Sequence, residues 1–162
     1  MKKLIYNIGV LMLVLTLITS CGSSQKTVGA HYTSETECLG VEGDGSQTVR
    51  AWGTGRNKTD AVEQARKNAV RDILFKGITK GTGECNMKPL LLEVNAQEKY
   101  EYYFNIFFQD GGAYKQYVSN EDTRSGSSVS SSTDTQVKYG VVVRVLRSEL
   151  KERLINDQIL KP

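Results

Sequence analysis

The sequence predicts a single α+β domain: a small antiparallel or mixed sheet with two main helices and a short C-terminal helix packed on one face. Three patterns predict it. Residues 60–76 carry an alanine-rich apolar stripe at helical spacing, residues 95–109 a second helical pattern loaded with aromatics, and residues 136–146 the alternation of a half-buried strand. Their order, with shorter apolar runs between, is strand, helix, a further short strand, helix, strand, strand, helix, which suits helices layered on one sheet.

The chain opens on a different kind of segment. Lys2 and Lys3 precede an apolar run from Leu4 to Leu17, followed at once by Ser and Gly. That is the layout of a signal peptide, and it is short for a bilayer span, which needs about 20 apolar residues. Leu17-Ile18-Thr19-Ser20-Cys21 then resembles the lipobox of bacterial lipoproteins. The resemblance implies cleavage after residue 20 and acylation of Cys21. Each buried methylene adds about 0.8 kcal/mol, so two or three acyl chains would anchor the protein to a bilayer. Gly22 to Lys26 has no acidic residue. Surface-exported lipoproteins of some phyla resemble one another in an acidic run there, so the periplasmic face of the outer membrane is expected.

Removal of residues 1–20 would leave 142 of the 162 residues, enough for one domain with a core. The net charge of +3 includes Lys2 and Lys3, so the remainder is close to neutral. No basic patch points to nucleic acid. Cys38 and Cys85 are then the remaining pair. In an oxidising compartment they suggest a disulfide, with two buried free thiols as the alternative. With the lone His31 they lack zinc-ligand spacing, and no cofactor is implied.

Residues 21–35 are Ser/Thr/Gly/Lys-rich and read as a flexible tether that includes His31. Residues 36–162 form the expected domain. A short strand is expected at 37–41, a glycine turn at 40–46, and a strand at 47–52 ending in Gly53-Thr54-Gly55. The first main helix follows. Asp60 and Glu63 suit its start. Ala61, Val62, Ala65, Ala69, Val70, Ile73 and Leu74 share one stripe, and Gly77 suits its stop. The alanines would let it approach the sheet closely. Arg66 falls inside the stripe and reads as a snorkelling stem, with a buried ion pair or a partner contact as the alternative.

Residues 80–89 are irregular. Asn95 and Glu98 open the aromatic helix, which stops at Gly111-Gly112. Ala96, Tyr100, Tyr103, Phe104, Phe107 and Phe108 share a core-facing arc. Tyr102 and Ile106 lie opposite, as a contact surface or a second layer of core. Residues 113–119 suit a strand, 120–135 a mobile loop, and 136–146 the strongest strand, with Val137, Tyr139, Val141, Val143 and Val145 on one face. Ser148 would cap a last helix holding Leu150 and Leu154.

No catalytic motif is present. Gly53-x-Gly55 lacks the third glycine and the lysine of a phosphate loop, and a tight strand-to-helix turn explains it. Carboxylates such as Glu93, Glu98, Glu101, Asp110 and Glu121 are plentiful, but spacing singles out no acid–base pair. The strand Val49-x-Ala51-x-Gly53-x-Gly55 with the helix Asp60-Ala61-Val62-x-x-Ala65-x-x-x-Ala69-Val70 resembles the N-terminal unit of lipoprotein-twenty-type envelope lipoproteins. It is more distantly similar to the flagellar assembly protein T domain and the curli-channel protein. The match covers residues 47–77, and the wider stretch looks like lipoproteins of Bacteroidales-type bacteria. The resemblance implies service in an envelope assembly rather than catalysis.

The expected function is therefore a membrane-anchored, non-enzymatic scaffold or adaptor. Its expected partners are the bilayer, through acylated Cys21, and an unidentified envelope protein; self-association into a homo-oligomer stays open. The alternative is a periplasmic ligand- or glycan-binding module using aromatics near Tyr102, Tyr114 and Tyr117. A hydrolase without a recognisable motif ranks third.

Overall fold

A five-stranded mixed sheet forms the base on which the helices pack. The computed structural model describes residues 35–119, 129–132 and 136–161. The expected signal peptide, Cys21, His31, nearly all of the expected tether, and residues 120–128 and 133–135 of the expected loop lie outside the described residues.

Strand β1 (Glu37–Val41) pairs antiparallel with β2 (Gln47–Gly55), with a register shift between Cys38 and Gly40. β2 pairs antiparallel with β5 (Val137–Val145) along all nine residues, from Gln47 opposite Val145 to Gly55 opposite Val137. The two-residue β3 (Lys80–Gly81) adds in parallel to β1. β4 (Val129–Ser132) adds antiparallel to the other edge, giving the order β3-β1-β2-β5-β4. β4 falls inside the segment read as a loop. Its sequence is Ser-rich without apolar alternation, so the edge of β5 supplies the pairing rather than β4's own pattern.

Helix α1 (Lys58–Arg71) lies on the face of β2 and β5 that carries Val49, Ala51, Val141 and Val143. Its cap is Asn57, whose side chain accepts from the Asp60 N–H at 2.9 Å, rather than Asp60. Ala61, Ala65, Ala69 and Val70 are buried as expected, and a single π turn (Asp72–Lys76) buries Ile73 and Leu74. Gly77 closes it at φ +78°, a conformation that favours glycine, with its N–H donating to the Asp72 carbonyl at 2.7 Å. The chain then doubles back, held by Leu90 N–H to Ile73 O and Leu91 N–H to Leu74 O, both 2.9 Å. A disulfide joins Cys38 of β1 to Cys85 of this returning loop.

The aromatic helix is two pieces, α2 (Ala96–Lys99) and α3 (Glu101–Phe107), broken at Tyr100. No side chain caps either piece. Phe104, Phe107 and Phe108 are buried, and Phe104 meets Phe75 of the π turn edge-on at 4.7 Å. Residues 113–119 do not form the expected strand. Ala113–Tyr117 is a 3₁₀ helix, and only Val118 bridges to Val145. The final helix α4 (Arg147–Asn156) buries Leu150 and Leu154. Its N-cap is Leu146, without a side-chain hydrogen bond, so the expected cap Ser148 is instead its second residue.

Tyr103 donates to Asp157 at 2.6 Å, and buried Tyr114 donates to Glu63. Burial, together with those carboxylates, raises both phenols, Tyr103 to about 12. A raised folded pKa means that the native state keeps its proton where the unfolded chain has lost it. This contribution is whole below the ordinary pKa near 10 and is lost as pH rises toward about 12. The unfolding midpoint should therefore fall steeply above pH ~10, and Tyr103→Phe should flatten that fall in a pH series of urea melts.

Candidate functional site

Three segments converge beside the disulfide. The β1–β2 turn brings Val41, Gly45 and Gln47. The returning loop brings Asn86, Lys88, Pro89, Leu90 and Leu92, and the first turn of α4 brings Arg147, Ser148 and Lys151. Between them lies a cleft of about 510 Å³. That volume falls in the range of ~300–1,000 Å³ usual for small-ligand sites, and an apolar wall with a few polar groups is the usual lining.

Both central polar groups are buried and incompletely satisfied. Arg147 is 9% exposed; its Nη2 donates to the Lys88 carbonyl at 2.9 Å, while buried Nη1 has no hydrogen-bond partner among the described residues. It forms no ion pair there either, and burial pulls the guanidinium below its usual pKa. Arginine stays charged in proteins, and a buried charge without a counter-charge is costly. Gln47 is 1% exposed. Its Nε2 donates to the Asn86 carbonyl at 3.3 Å and approaches Cys38 Sγ at 3.8 Å, which leaves buried Oε1 without a partner. The α4 N-terminus, with no side-chain cap, adds peptide N–H groups and the positive end of its dipole. Lys88 and Lys151 oppose a single carboxylate, Glu84, on the rim.

A second cleft of about 480 Å³ along α1 is different in kind. Its charges answer one another: Glu63 pairs with Lys115 at 2.8 Å and Arg66 at 3.1 Å, and Lys67 pairs with Asp110 at 2.7 Å. These hydrogen bonds and charges outweigh burial and hold the Glu63 carboxyl below its ordinary range. Arg66 thus sits in a largely covered ion pair, with its side chain 18% exposed, rather than snorkelling to solvent. Its ion pairs are closed within the fold, with Arg66 Nε left as a buried nitrogen without a hydrogen-bond partner among the described residues.

The residues marked from sequence divide. Tyr102 and Ile106 are exposed, at 82% and 47%, and Leu92 and Val94 join them as exposed large apolar side chains. Tyr114 and Tyr117, expected at a contact surface, are instead core residues at 0% and 7%, because the 3₁₀ turn directs both into the aromatic cluster with Phe107 and Phe108. Cys38 and Cys85 form the disulfide. Cys21 lies outside the described residues. Sequence reasoning missed Arg147 and Gln47, although both leave a trace: each polar side chain occupies an inward position of its element's apolar pattern.

Among the described residues no group of three or more His, Cys, Asp or Glu could hold a metal, and no helix is long and apolar enough to cross a membrane. No family model, curated protein or solved structure matches the chain.

Proposed function

We propose that this chain is a lipid-anchored protein of the bacterial cell envelope that works by binding, with the cleft at Arg147 receiving an anionic ligand. The buried, unpaired Nη1 of Arg147 carries this proposal. A buried cation without a counter-charge is costly, and an anion bound in the cleft would relieve that cost. Lys88, Lys151 and the α4 N-terminus add to the attraction. Nothing in the cleft pairs a nucleophile with a base, so the proposed role is recognition without bond-making. Acylated Cys21 would hold the domain at the membrane, on the periplasmic side of the outer membrane. The Cys38–Cys85 disulfide suits export to an oxidising compartment.

An adaptor role toward an envelope protein is favoured by one observation: Tyr102, Ile106, Leu92 and Val94 are exposed large apolar side chains, with Tyr102 and Ile106 four residues apart in α3. The resemblance of residues 47–77 to envelope lipoprotein units supports the same setting.

One preparation tests both claims. Wild-type protein should fractionate with membranes and Cys21→Ser with the soluble fraction; a membrane-bound Cys21→Ser would sink the anchor. The extracted protein should be stabilised by small anions, about 2.7 kcal/mol at a hundredfold excess over Kd, and Arg147→Met should abolish that gain. Equal stabilisation of Arg147→Met would sink the anion cleft. A stoichiometric protein co-purifying with the wild type would support the adaptor role.

A further inference from the structure

We propose that the cleft recognises the C-terminus of a peptide: the terminal carboxylate bonds to Arg147 Nη1, the last peptide N–H donates to Gln47 Oε1, and an apolar last side chain packs on Leu90 and Leu92. The inference rests on the anion-binding proposal and narrows it to one ligand class. Five buried side-chain atoms among the described residues lack a partner, and the two that belong to residues lining this cleft have opposite polarity. Nη1 can only donate, so the group opposite it must accept, and a guanidinium without a counter-ion favours an anion. Oε1 can only accept, so the group opposite it must donate. The amide cannot simply be turned around to remove that demand. Its Nε2 is committed to the Asn86 carbonyl, and a flip would set oxygen against oxygen.

Most simple ligands meet half of this requirement. A fatty acid brings the carboxylate and no donor, and a fully ionised phosphate monoester likewise brings only acceptors; inorganic phosphate near neutral pH keeps an O–H donor but brings no side chain for the apolar wall. An internal peptide amide brings the donor and no anion. A carboxylate whose own α-carbon carries N–H meets both demands from one residue, and its side chain then falls naturally on a third surface. That surface exists: Pro89, Leu90 and Leu92 line the same cleft, with Leu92 73% exposed. The α4 N-terminus, at the residue that supplies the guanidinium, adds donors for the second carboxylate oxygen. Two sources share this chemistry, a free amino acid and a peptide end. The cleft is too large for a single small residue to fill, so the peptide is the occupant proposed.

The test is titration of the purified chain from residue 21 to 162, with Cys21→Ser, followed by calorimetry. The probes are acetyl-Ala-Ala-Leu as free acid, the same peptide as C-terminal amide, leucine, decanoate and inorganic phosphate. The acid peptide should bind saturably, and the amide and free leucine each at least tenfold more weakly. Gln47→Met should weaken the acid peptide about tenfold and leave decanoate unchanged, which a merely structural role for Gln47 would not do. If Arg147→Met does not fold, Lys151→Glu on the exposed rim carries the charge test; it should weaken the acid peptide at least threefold and leave the amide unchanged. Equal binding of acid and amide overturns the C-terminus inference. So does tighter binding of leucine than of the peptide. Arg147-dependent binding of decanoate or phosphate without peptide binding overturns it too, but leaves the anion cleft standing. No binding of any probe overturns both.

Discussion

Gly53→Ala is expected to destabilise the domain by at least ~3 kcal/mol, although it adds a single methyl group. Gly53 lies in β2 directly beneath α1. A Cβ built there would fall 2.2 Å from the Ala61 carbonyl oxygen and 2.3 Å from the Ala65 nitrogen. Both are backbone atoms of a helix interior, so no rotamer change can make room. The helix must rise from the sheet, and every small contact beneath it loosens at once. Ala61, Ala65 and Ala69 are fully buried on one side, and Val49 and Ala51 on the other. Dispersion falls off over fractions of an ångström, so a shift of about 1 Å along this seam forfeits much of its packing. Against a typical total of ~5–15 kcal/mol the loss is a large share. Gly43→Ala is the control, because a Cβ there meets nothing within 4 Å; it should stay within about 0.5 kcal/mol of wild type. Urea unfolding followed by circular dichroism reads both. A Gly53→Ala midpoint indistinguishable from that of Gly43→Ala would show that the helix does not sit this close to the sheet.

The same seam explains which parts of the fold were legible. α1 with its π turn and β5 each carry a long apolar period, 3.6 for Ala61 to Leu74 with Arg66 inside it and 2 for Val137 to Val145, and periods of that length show through tertiary context. Residues 113–119 carry no such length. Tyr114 and Tyr117 are three apart, which suits one side of a 3₁₀ turn as readily as a ragged strand, and only packing against Phe107 and Phe108 decides. β4 was illegible for the opposite reason, since Ser130 to Ser132 pair because β5 offers a free edge. Side-chain pairing on α1 was no more legible: Glu63 pairs with Arg66 three residues along and with distant Lys115, and Lys67 with distant Asp110, rather than Glu63 with Lys67 four residues along.

The cleft was the least legible part, yet its two central residues break patterns that are visible. Gln47 shares its inward parity with Val49 and Ala51, and Arg147 stands three and seven residues before Leu150 and Leu154. A polar side chain at an inward position is either satisfied by the fold or waiting for something. Sequence alone cannot separate the two, because satisfaction depends on carbonyls of a distant loop. Here Asn86 and Lys88 each satisfy one nitrogen and leave the other buried atom open.

That dependence makes the double variant Cys38→Ser/Cys85→Ser the second large expectation. The bond spans 47 residues, and loop-closure entropy for that length assigns it about 4 kcal/mol. The loss should not be uniform. The base of the loop keeps its own ties, from Ile78 N–H to the Met87 carbonyl and from Leu90 and Leu91 to the π turn after α1, so the sheet and α1 should remain folded. Around Cys85 itself the ties are few: the Thr82 N–H to Cys38 O at 3.3 Å, and the Cys85 N–H to Thr82 O at 3.1 Å within the loop. Next to that stretch stands Asn86, which holds Gln47, with Lys88, which holds Arg147, just beyond. Freed of the sulfur bridge, those carbonyls should wander, and ligand affinity at the cleft should fall by more than the remaining core stability implies. Two measurements separate these effects. Reductant should lower the wild-type urea midpoint to that of the double variant and leave the variant unmoved. Hydrogen exchange should then show faster amides at residues 82–88 and unchanged ones in β2 and β5. Uniform acceleration across the sheet would mean that the bridge supports the whole core rather than the wall of the cleft.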